Sequence, residues 1–291
     1  MNNKNTLSHR DQEPENGVLY VVGTPIGNLN DMSPRAINIL KNVNLIACED
    51  TRNTKKIMHT FCIKNNITSF NEHNSNNKTK VIISELNNDK SVAIVSDAGM
   101  PLICDPGEKL ISQCRENSLE IISIPGPCAA ITAITSSGFH SSKFTFLGFL
   151  PRKKIEREKL LIDISNSPIS TILYESPHRL KKLLKELNEY CDGKRKIHIA
   201  RELTKKFEEH INGDIENINK IYEQKEVKGE FTIVIEGKDF KKDEFSDLKQ
   251  LKEELIFLVN GGLSLSNAAK YLAKKNNLTK KIVYNLINKK S

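Results

Sequence analysis

Short apolar runs, each ending in a loop of glycine, proline or acidic residues, dominate the first 126 residues. VLYVV over 18–22 stops at Gly23. VNLIACED (43–50), ITSF (67–70), SVAIVSDAG (91–99) and LEIISIPG (119–126) repeat the arrangement. Continuous apolar runs of this length predict strands buried on both faces. Between them lie stretches of helical spacing at 34–42, 76–87 and 106–117, the first opened by Pro34 after Ser33,. Strands alternating with helices imply a mostly parallel sheet whose connections cross its faces. Such folds bind ligands beyond the carboxyl ends of their strands. The tripeptides GTP, CED, NEH, DAG and PGP all fall at such ends.

The pattern changes after residue 126. PCAAITAITSSG (127–138) predicts a small-residue helix and FTFLGFL (144–150) a strand. A basic helix over 152–164, a strand over 170–176 and an amphipathic helix over 178–190 follow,. KIHIARE (196–202) and GEFTIVIEG (229–237) complete the set, the latter read from its alternation as a half-exposed antiparallel strand,. The chain's 291 residues suggest about two domains,. These are placed as an N-terminal α/β domain over 17–126 and a second over 127–238. A charged linker, KDFKKDEFSD (238–247), leads to a basic helical module over 248–291. Its first helix stops at Gly261-Gly262. Ser266 and Thr279 are read as caps of two more, in a helix-turn-helix-like arrangement,. Residues 1–16 have no apolar core and read as a mobile leader, not a signal peptide or anchor,. No stretch approaches the roughly 20 apolar residues of a membrane span.

Charge is unevenly placed. The net charge is +8, and from Asn260 to Ser291 the chain has seven lysines and no acid or arginine, so this segment carries +7 of it. That is the pattern of a basic appendage that meets a polyanion, or of a solvated helical face. The six cysteines, at 48, 62, 104, 114, 128 and 191, form no CxxC pair, so no zinc-ribbon or iron–sulfur reading arises,. Reduced thiols in a cytoplasmic protein are expected, and no metal.

Three loops carry more turn chemistry than turns need. In GTPIGNL (23–29) two glycines and a proline allow close backbone approach to a ligand,. It is not a GxGxxG turn, and the chain has no GxxxxGK[ST] loop, which disfavours nicotinamide cofactors and ATP,. SDAGMPLICDPG (96–107) holds two Asp, two Gly and two Pro, as in a rigid ligand-shaped loop,. IPGPCAAITAITSSG (124–138) begins a helix with small residues, which let a planar ligand lie against backbone or another helix pack closely.

Together with ACEDTRNT, SFNEHN, FLGFLPRKKIER, YESPHRL, ARELTKKFEE and GEFTIVIEG, these loops resemble the tetrapyrrole-methylase superfamily of S-adenosylmethionine enzymes. Within it the chain resembles the bacterial ribosomal RNA small-subunit methyltransferase I family over about residues 17–238, and the basic tail is similar to that family's helical module. The resemblance implies two α/β lobes with the cofactor folded into a cleft between them, a homodimer, and 2′-O-methylation of a cytidine in the decoding region of small-subunit rRNA. Carried over by position, cofactor contacts would come from Pro25, Asp97, Ala98, Gly99, Ile103, Ala129, Ala130, Tyr174 and Thr232. Cys128 stands where Ser would be expected and Met100 where Thr is usual, so a hydroxyl contact at position 100 is in doubt.

Methyl transfer from a sulfonium needs in-line alignment, and a ribose hydroxyl needs a general base. The candidate bases lie in acidic loops: Glu49 and Asp50, Glu72 beside His73, and Glu175 near His178. Each could equally be a cap, an ion-pair partner or a solvated loop residue. Arg52, Arg179 and Arg201 (beside Glu202) are candidate phosphate ligands. Arg152, Lys153 and Lys154, with Lys274, Lys275, Lys280 and Lys281 of the tail, are the expected RNA footprint, on naked small-subunit RNA or on the 30S particle,. Two other functions stay open: C-methylation of a tetrapyrrole precursor, and a non-catalytic RNA-binding assembly factor.

Overall fold

A computed structural model describes residues 13–276 and 278–288. The chain divides into two compact units, Met1–Glu236 and Gly237–Ser291.

The first unit holds two five-stranded sheets. β1 (Val18–Val22), β2 (Leu45–Cys48), β3 (Ile67–Ser69), β4 (Val92–Val95) and β5 (Glu120–Ile124) form an all-parallel sheet in the order β3-β2-β4-β1-β5. Alternation along β1 explains its unbroken apolar run. Val18, Tyr20 and Val22 pack under α1 (Pro34–Asn42) and α2 (Thr51–Thr60), against Ile39, Leu40 and Met58. Leu19 and Val21 pack on the other face, against Ile82 and Leu86 of α3 (Ser75–Asn87) and Leu110 of α4 (Glu108–Glu116). Helices on both faces leave no wet side, so no polar alternation is needed. All five strands run one way, so the loops after β1, β2, β4 and β5 emerge along one edge.

The second sheet is mixed, in the order β6-β7-β10-β8-β9. β6 (Phe144–Phe149) runs parallel to β7 (Ser170–Glu175). β10 (Phe231–Ile235) lies antiparallel between β7 and β8 (Lys196–Arg201), and β9 (Glu209–Asp214) is the antiparallel edge. α5 (Ala129–Ser137) covers one face through Ala130, Ala133 and Ile134. α6 (Lys154–Asn166), α7 (Pro177–Tyr190) and α8 (Ile215–Gln224) cover the other through Leu161, Leu184 and Ile218.

Several expectations need correction. GEFTIVIEG is antiparallel but not half-exposed: every residue of β10 is buried, with Phe231, Ile233 and Ile235 in one core and Val234 in the other. Its central place in the sheet, closed by helices on both sides, is the reason. The linker read over 238–247 is not irregular, because α9 (Phe240–Asn260) runs unbroken through most of it. α10 (Leu265–Lys275) is capped by Ser264, which accepts the Asn267 N–H, and not by Ser266. Most of the leader expected over 1–16 lies outside the described residues. Its last part is tied down: Glu13 takes a two-pronged ion pair from Arg35 of α1.

In the second unit α9, α10 and α11 (Lys280–Asn288) close on Leu251, Leu255, Leu272 and Val283, with Ala268 and Ala269 allowing close helix contact. Among the described residues no helix is long and apolar enough to cross a membrane.

Candidate active site

The three loops singled out above meet at the edge of the parallel sheet. Thr24 and Gly99 exchange backbone hydrogen bonds at 2.9 and 3.1 Å, and the Gly23 N–H donates to the Ile124 carbonyl at 3.2 Å. A Cβ on Gly23 would lie 2.7 Å from both Gly126 Cα and Met100 Sδ, so no side chain fits there. The loop after β4 contains Gly99 at φ +80°, and two non-glycine residues, Leu102 and Cys104, also hold positive φ of 74° and 68°. A non-glycine in that region stores about 1 kcal/mol or more of strain, sustained only where the surroundings over-determine the backbone. The expected rigid loop therefore has a physical form.

Between the sheets lies a cavity of about 280 Å³, near the lower end of the roughly 300–1,000 Å³ range of small-molecule sites. Ile26, Ala98, Gly99, Met100 and Ile103 line it from the first lobe; Cys128, Ala129, Phe149, Tyr174–Pro177 and Glu230–Thr232 line it from the second. The lobes also touch where the Asn28 N–H donates to Thr204 Oγ1 at 3.0 Å. Tyr174 accepts the Ala130 N–H at 3.2 Å and stands edge-on to Phe146 and Phe149. Burial pushes its phenol above the usual range. Phe149 remains half exposed.

Glu175 is the charged group buried in this wall, at 2% exposure. Its Oε1 accepts the Ser176 N–H at 2.9 Å and lies 3.3 Å from Arg179 Nε. Its Oε2 is buried and accepts no hydrogen bond among the described residues, with Arg157 still 3.9 Å away.

A second carboxylate group sits on the other side of the same loop. Glu49, Ser96, Pro101 and Asp105 enclose a small space of about 10 Å³. Burial, then the charges of Asp97 and Asp50, raise the Glu49 carboxyl. Burial and then the Glu49 charge push Asp105 up to about 6. Asp97 holds this group together, accepting the Asp50 N–H at 3.0 Å and Asn53 Nδ2 at 2.9 Å. Asp50 caps α2, and its fork with Arg52 holds its carboxyl down at about 2.

The structure thus brings Ala98, Gly99, Ile103, Ala129, Tyr174 and Thr232 together on one cavity, with Glu175. Pro25 and Ala130 are buried and do not line it, and Asp97 faces the lobe-one carboxylates. Glu72 and His73 are exposed, and the Glu72 side chain has no hydrogen bond or ion pair among the described residues. Arg52 is spread over Asp50, and Arg201 donates to the Lys228 carbonyl. Arg152, Lys153 and Lys154 are exposed at the start of α6. In the tail unit Lys275 pairs with Glu254 and Lys280 donates to Ser266, while Lys274 and Lys281 are exposed. Sequence reasoning missed Ile26, Phe149, Ser176, Pro177, Glu230 and Asp105. Asp105 stood in the quoted loop, but only its burial beside Glu49 distinguishes it from a turn aspartate.

Two α/β lobes with such a cleft define the class, and residues 18–219 match the Tetrapyrrole (Corrin/Porphyrin) Methylases. The crystal structure of cobalt precorrin-4 methyltransferase shares the fold at TM-score 0.58, with 12% identity over 76% of this chain and 95% of that one. Ribosomal RNA small subunit methyltransferase I of Synechocystis is 40% identical over 93% of this chain and 97% of its own length. That of Thermotoga maritima is 44% identical, its whole length covered by 77% of this chain. The chain belongs to the ribosomal RNA small subunit methyltransferase I family of tetrapyrrole methylases.

Proposed function

We propose that this chain transfers a methyl group from S-adenosylmethionine to the 2′-oxygen of a cytidine in the decoding region of small-subunit ribosomal RNA. The observation that carries the reading is the mostly apolar interlobe cavity with one buried, unpartnered carboxylate oxygen, in a chain of this family. The residues fit a nucleoside cofactor. The wall is mostly apolar, Gly99 presents bare backbone to it, and its polar groups are few,. Ala98, Gly99, Met100, Ala129, Tyr174 and Thr232 would hold it. When bound, S-adenosylmethionine supplies a methyl carbon activated by its sulfonium.

The chain's own residues then have two tasks. The rigid loop after β4 and the start of α5 fix the orientation of what lies between them, which in-line transfer requires. A carboxylate must take the ribose proton, and efficiency favours a base with raised proton affinity. Glu49 meets the electrostatic condition, and Glu175 meets the positional one. Asp50, held low by Arg52, and exposed Glu72 meet neither. On this reading the enzyme works in the cytoplasm as a homodimer, on rRNA or on the assembled small subunit.

Incubation with methyl-labelled S-adenosylmethionine and purified small-subunit RNA or particles, followed by nucleoside mass spectrometry, tests the proposal. Label on a cytidine 2′-oxygen is the expected result. Label on an added tetrapyrrole precursor would support C-methylation, and label on neither would leave an RNA-binding factor.

A further inference from the structure

Beside the cleft, a second and more open pocket of about 380 Å³ lies wholly within the second lobe. Arg152, Arg157, Ser176, His178, Arg179 and Lys182 line it, and no acidic side chain does. The acids behind its wall offset only part of the charge. Arg157 is clamped to Glu186 at 2.6 Å, and Lys182 stands 3.8 Å from the same carboxylate. Arg179 lies 3.3 Å from Glu175 and donates to the Leu150 carbonyl at 2.6 Å. Four cationic side chains therefore face two carboxylates. Arg152 and His178 are exposed and have no hydrogen bond or ion pair among the described residues. The floor adds to this field. Ser176 precedes the 14-residue α7 and its side chain makes no capping bond, so the positive end of the helix dipole adds to the field here, with Glu175 taking the Ser176 N–H behind the wall,.

Position gives the pocket its meaning. Ser176 lines both this pocket and the interlobe cavity, and Glu175 and Pro177 border it in the cavity wall. An anion seated here is a near neighbour of whatever occupies the cleft.

We propose that this pocket is a phosphodiester subsite that grips the RNA backbone phosphate adjoining the nucleotide whose ribose enters the cleft. The inference rests on the RNA-methyltransferase reading and deepens it by fixing the register of the strand. Arg152 and His178 supply donors that no other described residue uses, Lys182 adds charge at the rim, and Arg157 and Arg179 form a cationic wall locked in place by Glu186 and Glu175. The other anion that could reach this place is the carboxylate of the cofactor's methionine, and the test separates the two.

The probe is a fluorescent single-stranded RNA dodecamer spanning the methylated nucleotide, made in versions with one neutral methylphosphonate at each linkage in turn. The proteins are the full-length chain, R152A/K182A, and the charge-keeping R152K/K182R. Both positions are exposed, so the variants should fold. We expect R152A/K182A to bind the all-phosphate RNA about tenfold more weakly. Its log K against log salt slope should be shallower by about 0.7, one phosphate's share for a single strand. R152K/K182R should keep the slope. One methylphosphonate, next to the target nucleotide, should weaken the wild type about tenfold and leave R152A/K182A indifferent. Affinity for S-adenosylmethionine, measured by calorimetry, should not change. Equal sensitivity of wild type and variant to every linkage would overturn the subsite while leaving the methyltransferase reading intact. Loss of cofactor affinity in R152A/K182A would assign the pocket to the methionine carboxylate instead. A wild type that neither binds nor methylates the RNA would overturn both.

Discussion

Asp105 shows how much a single side chain's surroundings decide. Burial and the adjacent Glu49 charge move its carboxyl from 3.8 to about 6. A carboxyl raised in this way binds its proton more tightly in the folded chain than in the unfolded one. Its contribution to stability is then fully present below about pH 4 and is lost as pH rises to about 6. Asp105→Asn keeps the shape and removes the charge, so the variant should be more stable than wild type at about pH 7.5. The gain should be about 1 kcal/mol once solvent screening of a half-buried group is allowed for. Paired urea titrations should show this difference vanish near pH 4; a constant difference at both pH values would refute the assignment. The same reasoning ranks the candidate bases. With saturating cofactor and RNA, Asp50→Ala and Glu72→Ala should leave kcat within a few-fold, whereas Glu49→Gln or Glu175→Gln should lower it by about 100-fold or more. Near-normal turnover in all four would remove the carboxylate-base mechanism. Residue types and loops were legible in the sequence here. What was not legible was direction: Asp97 and Ala98 are neighbours, yet one turns to Asp50 and the other to the cleft.

At the scale of elements, Arg157 joins α6 to α7 and to the end of β7. It is 4% exposed and forks onto Glu186, with Glu175 at 3.9 Å. Removing one partner of a buried ion pair leaves uncompensated charge, typically a loss of about 3–5 kcal/mol. Arg157→Ala should therefore lower the urea midpoint strongly, and R157A/E186Q should recover part of the loss. No recovery in the double variant would show that packing by the guanidinium, rather than charge, holds these helices. Elements with apolar periodicity were readable because packing and pattern agree, as in β1 and α7. Of those that were missed, α8 does carry the pattern, at Ile215, Ile218 and Tyr222, but α2 and β9 lack it. α2 buries only Thr54 and Met58, and the edge strand β9, EHINGD, contains one apolar residue. β10 misled for the opposite reason: Thr232 reads as a solvent-facing position, but it is buried and lines the cleft.

For the whole molecule the question is what the separate tail unit adds. It has its own core, around Leu255, Leu272 and Val283, and the methylase match ends at residue 219, before it begins. The Thermotoga maritima relative is covered over its full length by 77% of this chain, so about a quarter of this chain has no counterpart there. The cleft and the cationic pocket both lie in the first unit. A chain ending at Glu236 should therefore fold and bind S-adenosylmethionine within about twofold of the full-length protein. RNA binding should respond differently, because seven lysines with no acid among them are lost from Asn260 onward. If about three of them neutralise phosphates on a single strand, the log K against log salt slope should fall by about 2 and affinity at low salt by about 100-fold or more. Charge-neutral replacement of Lys274, Lys275, Lys280 and Lys281 by Gln should reproduce most of that change without removing the unit. An unchanged slope in both variants would mean that the lysines are a solvated face and that RNA is held by the first unit alone. A changed slope in the truncation but not in the Gln variant would shift the contact from these lysines to the rest of the unit. The two titrations together thus decide whether the tail's charge or its helical surface meets the RNA.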